Sequence, residues 1–140
     1  MTSIEDRIAI RDLHTRYATA LDSRDWALLQ TVFLPNAQVQ YPGSPHLDGY
    51  EETRAFCELA LSRYRATQHL LGNHEASVTG DDAIASCSLQ ALHAEPEEKG
   101  GAIFMLWGGY QDRLTRTGDG WRIAERTLTS THTERWAGHA

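Results

Sequence analysis

A chain of 140 residues, 41% of them hydrophobic, is long enough for one domain with one buried core. Its formal charge of -6 and pI near 5.6 disfavour nucleic acid and anionic membranes as partners, because both need a basic stripe and no Lys/Arg cluster is present. Apolar stretches of a few residues fall far short of the roughly 20 that span a bilayer, and the polar start from Met1 to Asp6, where a signal peptide would be apolar, reads as a cytoplasmic protein.

Ser3 is placed to cap a first helix running to about Leu21, since Ile4, Ile8, Leu13, Tyr17 and Leu21 recur at three- to five-residue spacings. Asp22-Ser23-Arg24-Asp25 stops that helix and caps a short second one carrying Trp26, Leu28, Leu29, Val32 and Phe33, which Pro35-Asn36 ends. Ala37 to Tyr41 alternates as a short strand, Pro42-Gly43-Ser44-Pro45 turns, and Tyr50 to Tyr64 is a third amphipathic helix. Four strands are expected after it: Thr67 to Val78, Asp82 to Ala94, Gly101 to Arg116 and Trp121 to His132. Short hairpin turns at Gly80-Asp81-Asp82 and Thr117 to Gly120, and a longer polar loop from Glu95 to Gly100, make them a meander. Helices before a long antiparallel sheet give an α+β architecture in which the helices close the concave sheet face, and such sheets enclose a cavity. The tail from Glu134 to Ala140 carries Trp136 and is expected to pack over the cavity mouth or a neighbouring subunit.

Two regions hold groups suited to acid–base work: the end of the first helix, with Tyr17, Asp22 and Asp25, and the sheet, with His69, His74, His93, Tyr110 and Asp112. A carboxylate beside a histidine is the smallest general-base device, since it fixes the imidazole tautomer and stabilises the imidazolium that forms. Asp25 directly precedes Trp26 and fits a helix cap. Asp22 fits one less well, because a negative charge at a helix C-terminus opposes the dipole. Parity leaves the inward face at His69 ambiguous unless a bulge at Gly72 resets the alternation, whereas His93 follows Cys87, Leu89 and Ala91 on the small apolar face of its strand. Tyr110 and Asp112 share a face with Phe104 and Leu106, and Tyr110 has core packing as an alternative role.

No metal or nucleotide cofactor is expected. His69 and His74, five apart, point to opposite faces of a regular strand, the last histidines lie in or near the tail, and no helix carries a paired-histidine motif. Gly108-Gly109 has no helix after it and reads as a bend or bulge. Cys57 and Cys87 form neither a disulfide framework nor a CxxC motif and read as buried small hydrophobes.

Four segments together resemble the SnoaL-like branch of the NTF2-like superfamily: Ala9-Ile10-Arg11-Asp12-Leu13 leading to Tyr17, Leu21 to Trp26, Thr67 to His74, and Asp119 to Ala124. The resemblance covers about the whole chain and implies a cone-shaped α+β barrel, three N-terminal helices closing a curved, mainly antiparallel sheet. The Asp-Ser-x-Asp-Trp and Thr-Gln-His segments are most similar to the scytalone dehydratase type. That likeness implies an Asp22–His69 dyad, a second pocket histidine at His93 and a carbonyl-polarising tyrosine at Tyr41. Hexachlorocyclohexane dehydrochlorinase and bile-acid dehydratase are similar at the same Asp and His, and their catalytic Lys or Tyr matches Tyr17. The chain departs from the scytalone dehydratase pattern at Leu21, where that type has tyrosine, and at Asp112, where it has asparagine.

The expected function is a cofactor-independent lyase or isomerase. His69, oriented by Asp22, would remove a proton from a small cyclic, largely apolar substrate, and His93, Tyr17 or Tyr41 would supply one. Tyr41, Tyr110, Asp112, Phe104 and Leu106 would bind it, in a pocket rich in Leu, Met, Phe and Trp. The alternatives implied by the resemblance are a non-catalytic binding or assembly subunit, as in ring-hydroxylating dioxygenases, and a polyketide cyclase. Met105 and Trp107, alternating away from Phe104 and Leu106, suggest a homo-oligomer, trimer or dimer.

Overall fold

The computed structural model describes residues 1–138. Its first helix, α1, spans Ile4–Ser23, with the Ser3 hydroxyl accepting from the Asp6 N–H at 3.1 Å. The helix stops because Arg24 takes a left-handed conformation, φ 57°, and the N–H of Asp25 turns back to the Ala20 carbonyl at 2.9 Å. Ile10, Leu13, Tyr17 and Leu21 form its buried face, and each such aliphatic side chain contributes about 1.5–3 kcal/mol by leaving water.

Asp25 caps α2, Trp26–Gln30, by accepting from the Leu28 N–H at 2.9 Å. This helix is one turn shorter than the apolar pattern suggests. Val32 and Phe33 leave it because the Val32 carbonyl accepts from Ile123 at 2.8 Å, and strand β1, Phe33–Gln40, begins there beside the last strand. Pro35 falls where that pairing is irregular, so its missing N–H costs no ladder bond. A two-residue strand, β2, Leu47–Asp48, pairs with β1 and is too short to show alternation in the sequence. Helix α3, Tyr50–Leu61, ends before Tyr64 as the Arg65 N–H binds the Ala94 carbonyl at 2.9 Å and enters the sheet.

Strands β3 (Ala66–Thr79), β4 (Asp82–Ala94), β5 (Ile103–Thr117) and β6 (Gly120–Trp136) form the expected antiparallel meander. The sheet order is β2-β1-β6-β5-β4-β3, and among the described residues only the β1–β6 pairing is parallel. This is the cone-shaped α+β barrel, with α1 closing the concave face. Most of the expected tail belongs to β6. Trp136 sits opposite Ile103, with 49% of its surface exposed, and is not a wall of the cavity described below, while residues 139–140 lie outside the described residues. Gly108 marks an irregularity in the β5–β6 ladder, where a Cβ would lie 2.2 Å from the Thr129 carbonyl oxygen. Among the described residues no helix is long and apolar enough to cross a membrane.

The bulge in β3 has the largest consequence. Gly72 pairs with Ser88 and Glu75 with Ser86, so Asn73 and His74 together oppose the single residue Cys87, and Asn73 takes φ 51°. The extra residue resets the alternation. Thr67, His69 and Leu71 face inward before the bulge, and His74, Ala76 and Val78 face inward after it. His69 and His74 therefore share a face, which overturns the parity argument made from a regular strand.

Candidate active site

A cavity of about 290 Å³ lies between the concave sheet face, α1 and α3. Tyr17 and Leu21 reach it from α1, Phe56 and Leu61 from α3, and His69, His93, Phe104, Leu106 and Tyr110 from the sheet, with Tyr41 following β1. Its apolar walls are Leu, Phe and Ala. Met105 and Trp107 do not line it, so the expected contribution of Met and Trp is absent.

Asp22 stands behind His69 at the C-terminal end of α1. His69 Nδ1 lies 2.7 Å from Asp22 Oδ1, the His69 backbone N–H donates to Oδ2 at 2.8 Å, and the Thr67 hydroxyl donates to Oδ1 at 3.0 Å. These donors offset the unfavourable end of the helix dipole. Arg24 steadies the arrangement, its Nη1 donating to Thr67 Oγ1 at 2.8 Å. A carboxylate only accepts, so Nδ1 carries a proton, and in the neutral ring the lone pair lies on Nε2, the tautomer a general base needs. The His69 side chain is 6% exposed and that of Asp22 25%.

His93 meets the His69 ring edge-on at 5.9 Å and packs against Tyr64 and Phe104. Its Nδ1–H donates to the Phe104 carbonyl at 3.3 Å, which leaves Nε2 as an acceptor. Burial, then the neighbouring His69, push its pKa down to about 4. A neutral ring with this tautomer accepts a hydrogen bond and has no acidic proton to give at neutral pH.

Phenols also reach the cavity. Tyr17 and Tyr41 share a hydrogen bond of 2.7 Å between hydroxyls, with the Cys57 thiol donating to Tyr41 at 3.6 Å. Burial, followed by the neighbouring tyrosine for Tyr17 and by Cys57 for Tyr41, holds both phenols well above their usual pKa, so they stay protonated. The Tyr110 ring packs edge-on against Tyr17 at 5.4 Å.

Asp112 is not a wall of the cavity, contrary to the expectation that it binds substrate. It is 3% exposed and lies behind the tyrosines, gripping Arg126 from the paired position on β6 at 2.7 and 2.8 Å. Burial opposes its charge, but Arg126 and then His14 hold its carboxyl below the usual range. Arg126 is fully buried between two rings, 4.2 Å from the centre of Tyr17 and 3.9 Å from that of Tyr110. Its Nη1 has no acceptor among the described residues. Sequence reasoning missed Arg126, although it falls on the strand face it shares with Ala124 and Leu128, where a charge needs a cross-strand partner. It also missed His14, which shares the buried face of α1 with Ile10, Leu13 and Tyr17.

The profile of the SnoaL-like domain matches residues 2–127. The chain belongs to the SnoaL-like domain family. An uncharacterized protein of Mycobacterium tuberculosis is 32% identical over 133 residues, covering 92% of this chain and 88% of the relative. Among solved structures, the type-3 hexachlorocyclohexane dehydrochlorinase of Novosphingobium barchaimii superposes with a TM-score of 0.85 at 18% identity, covering 97% of this chain and 93% of that one. A candidate scytalone dehydratase of Novosphingobium aromaticivorans gives a TM-score of 0.81 at 23% identity, covering 93% and 89%. Both share the NTF2-like cone.

Proposed function

We propose that this SnoaL-like protein is a cofactor-independent lyase or isomerase acting on a small cyclic, largely apolar substrate. The observation that carries the reading is the 2.7 Å Asp22–His69 contact, which turns Nδ1 to the carboxylate and leaves Nε2 as the other ring nitrogen of a residue lining an apolar cavity. His69 Nε2 takes a proton from a carbon next to a carbonyl or leaving group, and the C–H electron pair forms the new double bond or enolate. In elimination Tyr17 or Tyr41 protonates the departing hydroxyl, which leaves as water, and the proton on His69 returns to the tyrosinate; in isomerisation the tyrosine donates a hydrogen bond to the enolate oxygen and His69 delivers its proton to another carbon. Asp22 stabilises the imidazolium in between. His93 binds rather than protonates: as an acceptor it suits a substrate hydroxyl. The dehydrochlorinase and dehydratase names borne by proteins of the same fold support an elimination chemistry here.

The cavity is near the lower end of the ~300–1,000 Å³ usual for small-molecule sites, which favours a compact substrate. The test is turnover of a panel of small cyclic β-hydroxy and β-halo carbonyl compounds. On a converted substrate, His69→Ala is expected to lower kcat about 10²- to 10⁴-fold with affinity largely kept. Wild-type turnover in that variant would refute the assignment.

A further inference from the structure

Behind the cavity a second group of side chains converges from three elements. His14 comes from α1, His74 from the bulge of β3, and Cys87 from β4 directly across that bulge. His14 Nδ1 and His74 Nδ1 are 3.1 Å apart, and the Cys87 sulfur lies within 4.8 Å of these ligand atoms. On the far side of the His14 ring, Nε2 donates to Asp112 Oδ2 at 2.9 Å.

The geometry points to a transition-metal site of the Zn²⁺ class, with His14 Nδ1, His74 Nδ1 and the Cys87 thiolate as ligands and Asp112 as the carboxylate that orients His14. Zinc held tetrahedrally at ~2.0–2.1 Å from nitrogen and ~2.3 Å from sulfur sets ligand separations of about 3.3 Å for N to N and about 3.6 Å for N to S. The two nitrogens are already near that spacing. Both imidazoles, whose Nδ1 atoms now face each other across a hydrogen bond, have to turn toward a common point, and the Cys87 side chain has to rotate closer. A metal-bound histidine characteristically gives its second N–H to a carboxylate, the contact His14 makes with Asp112. Two imidazoles and a thiolate favour zinc or copper(I) over magnesium or calcium, which take oxygen ligands. His14 and Cys87 are buried, but His74 borders an open cleft of about 480 Å³ between α1 and β3. That cleft provides the entry path and water for a fourth position.

Binding balances as follows. His74 Nδ1–H donates to His14 in the metal-free protein, so its proton moves to Nε2 through the solvent. The Cys87 thiol releases one proton, giving one proton per ion overall. The site is about 12 Å along α1 from Asp22, eight residues at 1.5 Å each, and is independent of the proposed acid–base dyad.

The experiment is titration of the full chain with cobalt(II), a spectroscopic stand-in for zinc, followed by displacement with zinc. One equivalent is expected to give tetrahedral visible bands and a thiolate-to-cobalt charge-transfer band, with release of one proton. Cys87→Ala and His74→Ala should each abolish the charge-transfer band, whereas Cys57→Ala should keep it. Circular dichroism checks that each variant is folded. Cys87→Ala is a mild change beside Ala85 and Ala91, and His74→Ala lies at the cleft, so at least one gives a folded protein to read. A wild-type protein with no charge-transfer band, or a band unchanged in both variants, overturns the assignment.

Discussion

Two Asp–His units among the described residues have almost the same contact, 2.7 Å for Asp22–His69 and 2.9 Å for Asp112–His14. They differ in what surrounds them. Asp22 is partly exposed and accepts from the Thr67 hydroxyl and from the His69 ring and backbone, while Asp112 and His14 have fully buried side chains and Asp112 also neutralises Arg126. His69 has a free second nitrogen at the cavity. His14's second nitrogen is already engaged by His74. What separates the proposed general base from a structural or metal-ligating histidine is therefore the vacant nitrogen and the route to it.

Exchanging the same substitution between the two units is expected to split stability from turnover. Asp112→Asn leaves the buried Arg126 without its counter-charge and should cost about 3–5 kcal/mol, read from denaturant unfolding. Asp22→Asn should change stability by about 1 kcal/mol or less, because its partly exposed bonds are remade with water, yet lower kcat nearly as much as His69→Ala. The Asp22→Asn/His69→Ala double variant should be little worse than either alone, since the pair acts as a unit. Equal stability losses in Asp22→Asn and Asp112→Asn would erase the distinction.

A smaller effect sharpens the difference between His69 and its neighbour His93. The His93 pKa is depressed from 6.5 to about 4 in the folded protein, so between those values the unfolded chain binds a proton that the folded one does not. Stability contributed by neutral His93 is complete above about pH 6.5 and is lost as pH falls toward 4, on the order of 2 kcal/mol. His93→Gln cannot titrate. Its unfolding midpoint should decline less steeply than wild type across that window, and parallel curves would assign the acid sensitivity to other groups.

The smallest expected effect concerns the outer face. Leu70 and Ile84 are 63% and 62% exposed there, on the same side as Met105 and Trp107. Association through this face should give a dimer or trimer by light scattering at micromolar concentration, and a monomer mass would remove the proposal.

The helices and the meander were legible because their periods of 3.6 and 2 persist over long stretches. The dyad was legible only through resemblance, since Asp22 and His69 are 47 positions apart and spacing cannot pair them. What escaped depended on tertiary pairing. Phe33 exchanged a helical pattern for a strand because β6 bonds to that segment, and β2 was too brief to leave a pattern. His74 and Asp112 were misplaced for opposite reasons. A single inserted residue turned His74 inward, and the correct inward face at Asp112 led to a buried guanidinium rather than to the cavity.

The parallel pairing of β1 with β6 also sets an order of assembly. Phe33 lies beside Ile123, so that contact must close a loop of about 90 residues, whereas two hairpins of the meander close turns of two residues and the third a loop of eight. The β3–β6 meander can therefore form locally first, leaving the inner edge of β6 open until β1 arrives with α1 and α2. Asp22 travels with that late-docking segment and His69 with the early sheet. The proposed catalytic pair is joined only once α1 docks on β3, and a meander formed before that docking would hold His69 without the carboxylate that fixes its tautomer.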